Sequence, residues 1–297
     1  MAFIDHIHAC NNADPGRYHP FRIGDQVIGA LRPDFRAALL AASPDFSFDD
    51  DGTCRFAPHI NTPTARSAAL AIAADILHQQ GVIPRLHGEK FDIRPSLSVD
   101  PLAQLDRSAM PCFGFRSWGV HMNGFVRKQG GIHMWIAHRA QDKANYPGML
   151  DNMVAGGQPS GLGFLENMIK ECAEEAAIPP ELSRHLKPVG TVSYLYETSE
   201  GLKPDVMVNY DLELPIDFIP DNADGEVGHF ELRPIAEVAE IVRTGFEFKF
   251  NCALVIIDFL IRHGILTADN EPDYCRLTTG LHRDVTVSGM FSKPVVS

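Results

Sequence analysis

The sequence has no C-x-x-C pair and no regular cysteine spacing. Its six cysteines, Cys10, Cys54, Cys112, Cys172, Cys252 and Cys275, are scattered through 297 residues, a chain too long to depend on disulfide staples. They are expected to be reduced thiols. No segment reaches the ~18 consecutive apolar residues of a membrane helix. The opening MAFIDHIHACNN carries charge and histidine where a secretory leader needs a long apolar stretch. The expectation is a soluble, cytoplasmic protein with no membrane partner. Basic charge is scarce: 26 Lys and Arg stand against 38 Asp and Glu, a net charge of -12. Such a balance repels a phosphate backbone and argues against a nucleic-acid partner. Repeats and low-complexity tracts are missing too, so organisation must be read from shifts of pattern.

With 45% hydrophobic residues, the chain can bury a core as one large domain or two of ordinary size. Up to about residue 110, short extended pieces alternate with helical ones: QVIGALRP reads as a strand, and TARSAALAIAADILHQQG as an amphipathic helix stopped by Gly81. The Pro- and Ser-rich stretch 94–114 is the expected boundary, giving domains over 1–112 and 113–297. Beyond it, GVHMNGFVRK and GIHMWIAHRA read as a hairpin around Gln129, Gly130 and Gly131. MLDNMVAGG reads as a third strand, and FLENMIKECAEEA as a helix. VGTVSYLYET and DVMVNYDLEL read as strands, HFELRPIAEVAEIVR as a strand leading into a helix, and FNCALVIIDFLIRHG as a last long helix ended by Gly264. The fold class that this pattern favours is α+β or a layered α/β/α domain.

One helix breaks local rules. In VAGGQPSGLGFLENMIKECAEEAAIP (residues 154–179), Leu165, Ile169, Cys172 and Ala176 recur at helical spacing and predict a buried stripe. Glu171, Glu174 and Glu175 cluster on another face. Like charges at i, i+3 and i+4 each cost ~0.2–0.5 kcal/mol in an isolated helix, and acids near its C-terminus oppose the macrodipole. A solvated face is the plain alternative. Lys170 could pair with Glu166 but cannot neutralise three carboxylates. A hard divalent cation, Mg2+ or Mn2+, can.

The run Gly156, Gly157, Gly161, Lys170, Glu171, Cys172, Glu174, Glu175 and Ile178 resembles the Nudix box, a glycine-rich loop followed by a helix of pattern R-E-U-x-E-E-x-G-U with U apolar. Lys170 stands for the usual Arg and Ala177 for the usual Gly, so Pro179 is expected to stop the helix. Leu162 occupies the place of the loop glutamate, and the loop is one residue short, which leaves the backbone carbonyl ligand between Ala155 and Gly156. Further segments, YPGMLDNMVAGGQPSG, VSYLYE, YDLELPIDFIPDNADGEV and LVIIDFLIRHG, resemble a Nudix branch related to the domain fused to thiamin pyrophosphokinase and to hydrolases of oxidised thiamin diphosphates. IHACNN and PFRIGDQVIGALRP resemble the amino-terminal domain that accompanies this branch.

The resemblance implies a Nudix-type α/β/α sandwich with a mixed sheet, preceded by a smaller α+β domain. It implies a pyrophosphohydrolase in which Glu171, Glu174, Glu175 and the Gly156 carbonyl hold Mg2+ or Mn2+ against a small-molecule diphosphate. Glu174, Glu175 and a loop acid, Glu226 with Asp224 as runner-up, would carry the catalysis; the plain alternative for that loop is a polar turn. The substrate expected is oxidised or damaged thiamin diphosphate, with Trp118, Trp135 or Phe115 available to stack on its ring. The alternatives are a nucleoside diphosphate derivative such as ADP-ribose, or a diphosphate-binding module without turnover. The amino-terminal domain would roof the pocket or form a homodimer contact.

Three competing motifs weigh less. GLGFLE begins like a dinucleotide fingerprint, but Glu166 replaces its third glycine. His6, His8 and Cys10 would share one face of a strand, without the second ligand pair that zinc needs. Ser160 lacks the spacing of a nucleophile elbow.

Overall fold

The computed structural model describes residues 1–143, 145–222, 225–283 and 286–291. The first half begins with helix α1 (Phe3–Ala9), followed by β1 (His19–Ile23), β2 (Gln26–Leu31) and helix α2 (Pro33–Ala42). Next come β3 (Phe46–Phe48), β4 (Cys54–Phe56) and helix α3 (Pro63–Gln79). A small ribbon of β5 (Lys90–Ile93) and β6 (Ala103–Asp106) precedes the short helix α4 (Met110–Phe113). The first four strands form a sheet in the order β2-β1-β4-β3. Phe21, Phe113 and Phe115 fill its core together with Leu70, Ala73 and Leu77 of α3. The helix signal over 63–79 therefore holds, with Gly81 just beyond it at φ +74.

From Trp118 onward, alternation builds the larger sheet. Strands β7 (Trp118–Lys128) and β8 (Gly131–Arg139) form the expected hairpin, with Lys128 opposite Gly131. The segment expected as one strand divides into β9 (Leu150–Asp151) and β10 (Val154–Gly157), because β9 pairs with β8 and β10 crosses to pair with β7. Asn152, at the crossing, turns its side chain inward to His121 and Asn123.

Helix α5 (Phe164–Ala176) and the short α6 (Pro180–Ser183) lead to β11 (Lys187–Glu197) and β12 (Leu202–Glu213). Strand β13 (Val227–Pro234) then runs into α7 (Ile235–Thr244), and α8 (Cys252–Arg262) ends before Gly264. The main order is β11-β12-β7-β8-β13; β12 runs parallel to β7 and the other pairs are antiparallel, so the sheet is mixed. Successive residues of β7 alternate between its faces. Val120, Met122 and Val126 meet α5, whereas Phe125 meets α8. The result is the expected α/β/α sandwich.

Two terminal segments depart from expectation. His6, His8 and Cys10 belong to or flank helix α1 rather than a strand. Helical spacing buries His6 and Cys10 while His8 stays exposed. Phe3, Ile4 and Ile7 pack with α8 in the core of the larger sheet. Past Gly264, where no further helix was expected, α9 (Tyr274–His282) and α10 (Val287–Met290) form, and Leu277 and Leu281 of α9 close the same core.

Helix α5 buries part of the stripe expected for it. Cys172 and Ala176 are buried and Ile169 packs partly buried beside them, but Leu165 is 49% exposed, and Met168 and Glu175 join the buried face. Phe164, Met168, Cys172 and Ala176 keep the four-residue spacing, so the periodicity was present one position earlier. The helix is stopped by Ala177, at φ 50, rather than by Pro179. Ile178 donates its N–H to Cys172 O at 3.0 Å, closing a left-handed cap. An alanine there is strained by its Cβ. Ala177→Gly is expected to stabilise the protein by ~1 kcal/mol, read as a higher urea midpoint; an unchanged or lower midpoint would contradict this.

Candidate active site

Strand β10 and helix α5 meet at the glycine loop. A Cβ on Gly156 would lie 2.4 Å from the carboxyl carbon of Glu171, so the backbone there is packed directly on that side chain. The next residue back, Ala155, donates its N–H to Glu175 Oε2 at 2.9 Å. Two of the three expected glutamates therefore converge on Ala155 and Gly156. Within the loop, Asn167 donates to Gly157 O at 2.8 Å, and Gln158 donates to Leu162 O at 2.8 Å. These amides shape the loop where Leu162 offers no carboxylate.

The three glutamates differ. Glu175 is only 9% exposed. Burial pushes its pKa well above the ordinary value, and the nearby charges of Glu171, Asp151 and Glu226 push it further. Glu171 is half-buried and also raised, first by burial and then by Glu174, against the lowering effect of Lys170. Glu174 is exposed and pairs with Lys170 at 2.5 Å, while Lys170 lies 3.5 Å from Glu171. Lys170 thus serves Glu174 and Glu171. Glu166 instead sits at the first turn of α5, 3.4 Å from Gly163 N, apart from the cluster.

Glu226, immediately before β13, pairs with Lys143 at 2.7 Å and is close enough to act on Glu175 electrostatically. Asp224 lies outside the described residues. The donors of Glu171, Glu174, Glu175 and the local carbonyls are hard oxygens in a partly desolvated acidic setting, which fits a divalent cation.

Beside this cluster lies a cleft of about 440 Å³. Arg139, Lys143, Lys203 and Lys249 line it, giving a protein of net charge -12 a locally cationic recess. Sequence reading missed these four because no motif carries them; they converge from β8, the loop after it, β12 and the segment before α8. Of the expected stacking residues, Trp118 lines the cleft, edge-on to Phe164 with ring centres 6.2 Å apart. Phe115 is instead enclosed in the core of the first sheet, and Trp135 in the core beneath α5. Phe250, stacked on Tyr196 at 4.4 Å, is a further aromatic wall that sequence reading did not single out.

A second group, His121, Asp151 and Cys252, brings its ligand atoms within 4.8 Å of one another. Its charge is already balanced. Asp151 pairs with Arg139 at 2.8 Å and Lys249 at 3.5 Å, and accepts the Cys252 thiol at 2.6 Å. Burial would raise the Asp151 pKa, but Lys249 leads the contacts that bring it down to about 2. The group reads as an anchor for two of the cleft's cations, Arg139 and Lys249.

His121, whose pKa burial and Lys249 bring down to about 4, is neutral near pH 7. His6 and Cys10 do not converge on a metal: the His6 ring contacts Val242 O at 2.7 Å, and the Cys10 thiol donates to Phe250 O at 3.1 Å. Ser160 donates to Asp92 at 2.7 Å, a structural tie. All six cysteines are free thiols. Among the described residues, no helix is long and apolar enough to cross a membrane.

Residues 2–117 match a family described as a domain of unknown function, DUF4743. The chain is similar to Nudix hydrolase 20, chloroplastic, of Arabidopsis thaliana, with 40% identity over 279 residues, covering 91% of this chain and 75% of that protein. It is also similar to Nudix hydrolase 24, chloroplastic, of the same plant, with 38% identity over 278 residues, 93% of this chain and 76% of that protein. Among solved structures, DR0079 of Deinococcus radiodurans matches at 20% identity with a TM-score of 0.44, covering 57% of this chain and 97% of that one. These two plant relatives, matched over nine-tenths of this chain, show that the chain belongs to the Nudix hydrolase family of pyrophosphohydrolases.

Proposed function

We propose that the protein hydrolyses oxidised or otherwise damaged thiamin diphosphate to the monophosphate and phosphate. The observation that carries the site is the desolvated pair Glu171 and Glu175, packed on Gly156 and Ala155 beside a cationic cleft. The ring preference is supported by the resemblance of YPGMLDNMVAGGQPSG and YDLELPIDFIPDNADGEV to the thiamin-related branch. Aromatic walls at Trp118 and Phe250 suit stacking on a flat, polarised heterocycle.

Glu171, Glu174, Glu175 and the carbonyl of Gly156 or Ala155 would hold Mg2+ or Mn2+, which when bound offsets phosphate charge and makes a water more acidic. Arg139, Lys143 and Lys249 attract the diphosphate into the recess and hold it there. Glu226 accepts the proton of the attacking water as the new P–O bond forms and the bridging P–O bond breaks. Lys143, paired with Glu226 at 2.7 Å, holds that carboxylate at the cleft that both residues line. The bridging oxygen leaves on the thiamin monophosphate, and the terminal group departs as phosphate.

A product panel resolved by chromatography tests the reading: oxothiamin diphosphate, which yields its monophosphate and phosphate, is compared with ADP-ribose and a nucleotide sugar, which each yield two phosphomonoesters, with Mg2+, Mn2+ or chelator. The expected result is metal-dependent cleavage fastest with oxothiamin diphosphate, by at least about tenfold. Faster cleavage of ADP-ribose would replace the substrate assignment. Ligand-induced stabilisation without turnover at any metal concentration would make the protein a binding module instead.

A further inference from the structure

The amino-terminal half touches the glycine loop at several points. Phe91 of β5 fills the space a side chain on Gly157 would need, since a Cβ there would sit 2.4 Å from Phe91 Cζ. Ser160 donates its N–H to Lys90 O at 2.8 Å and its hydroxyl to Asp92 at 2.7 Å. The β5–β6 ribbon is thereby fastened to the loop that precedes the carboxylate helix.

That ribbon carries cations. Arg85, His87 and Arg107 line the same cleft as Gly156 and Gly157. Asp106 receives the backbone N–H groups of His87 at 2.9 Å and Gly88 at 2.6 Å, which holds the loop bearing Arg85 against β6. Burial, then the charges of Arg107 and Arg85, lower the His87 pKa. Arg107 pairs with Glu89 at 2.8 Å.

We propose that Arg85 and Arg107 of the amino-terminal domain form an anion subsite for the diphosphate, so that the hydrolytic site is completed only by both halves of the chain. The geometry behind this is the shared cleft, the Phe91–Gly157 packing and the Asp106 clamp. A guanidinium fork suits phosphoryl oxygens because it can donate two parallel hydrogen bonds. The domain's role is then neither a remote module nor only a roof: it contributes charge that the acidic chain otherwise lacks at this wall. The inference rests on the diphosphate reading above, but its test does not require turnover.

The full-length protein is titrated with magnesium imidodiphosphate, a probe that resists hydrolysis, and affinity is read by calorimetry. The double variant Arg85→Ala/Arg107→Ala is expected to weaken binding at least about tenfold, and Arg85→Lys/Arg107→Lys to recover part of the loss. Arg55→Ala, which removes a cation paired with Asp49 at 2.9 Å outside the cleft, serves as control and should change affinity less than twofold. Thermal melts of each variant verify folding. Unchanged affinity in a folded double variant would overturn the subsite, even with wild-type turnover intact. Conversely, arginine-dependent binding with no hydrolysis of any diphosphate would uphold the subsite and remove the enzymatic reading.

Discussion

Glu175→Gln is expected to lower metal-dependent phosphate release by ~10³-fold, the middle of the range for losing a group that acts on proton transfer or its immediate support. The same substitution should stabilise the metal-free protein. Glu175 is 9% exposed, its Oε2 accepts the Ala155 N–H at 2.9 Å, and Glu171, Asp151 and Glu226 press on its charge. Glutamine keeps an oxygen for that N–H and removes the desolvated charge, a gain of ~1–3 kcal/mol.

The pH dependence has a definite sign. Burial raises the folded pKa above the ordinary 4.5, so the folded protein keeps the proton over a range where the unfolded chain has lost it. Wild-type stability without metal therefore falls as pH rises from 4.5 toward the raised value, and the glutamine variant should lack that decline. Urea unfolding at several pH values with chelator reads this directly. Full turnover in the variant, or a variant less stable than wild type near pH 8, would defeat the account.

The dual prediction bears on what sequence can reveal. Glu171, Glu174 and Glu175 were legible because they break a local rule: like charges where a helix tolerates them least. The boundaries of α5 were legible for the ordinary reason of apolar spacing, as was the burial of Cys172 and Ala176, yet the first turns of its buried face were misplaced by one position. Leu165 looked like core because it is large and apolar, whereas Glu175, placed by the sequence on a separate carboxylate face, is itself buried. A buried carboxylate is invisible to a hydrophobic pattern. The cationic half of the site was hidden for a different reason. Arg85 and Arg107 come from one half of the chain and Arg139 and Lys249 from the other, and only folding brings them to one recess. The helix at residues 3–9 was missed because alternation over HIHAC imitates a strand across so short a run.

Asp211→Ala should cost ~3–5 kcal/mol, the usual penalty for removing one member of a buried ion pair. A loss of that size lowers the melting temperature by on the order of 10 °C. Asp211 receives two guanidinium nitrogens of Arg262 at 2.6 and 3.0 Å, lies 3.1 Å from His263, and accepts the Asn123 amide at 3.2 Å. Arg262 retains Asp258 at 2.7 Å, which places the expected loss at the lower end of that range.

The carboxylate also gives direction to a chain of amides. An ionised carboxylate only accepts, so Asn123 must offer its nitrogen to Asp211 and its oxygen to Asn152. Asn152 then donates to Asn123 at 3.3 Å and turns its own oxygen to His121 Nδ1 at 2.9 Å. The proton of neutral His121 is thus placed on Nδ1, which leaves Nε2 as an acceptor in a residue that lines the cleft. Nitrogen NMR shifts of His121 should report the Nδ1–H tautomer in the wild type, and in Asp211→Ala a mixture of tautomers, since both amides are then free to flip. A single unchanged tautomer in the variant would show that the ring is oriented from the cleft side, independently of Asp211.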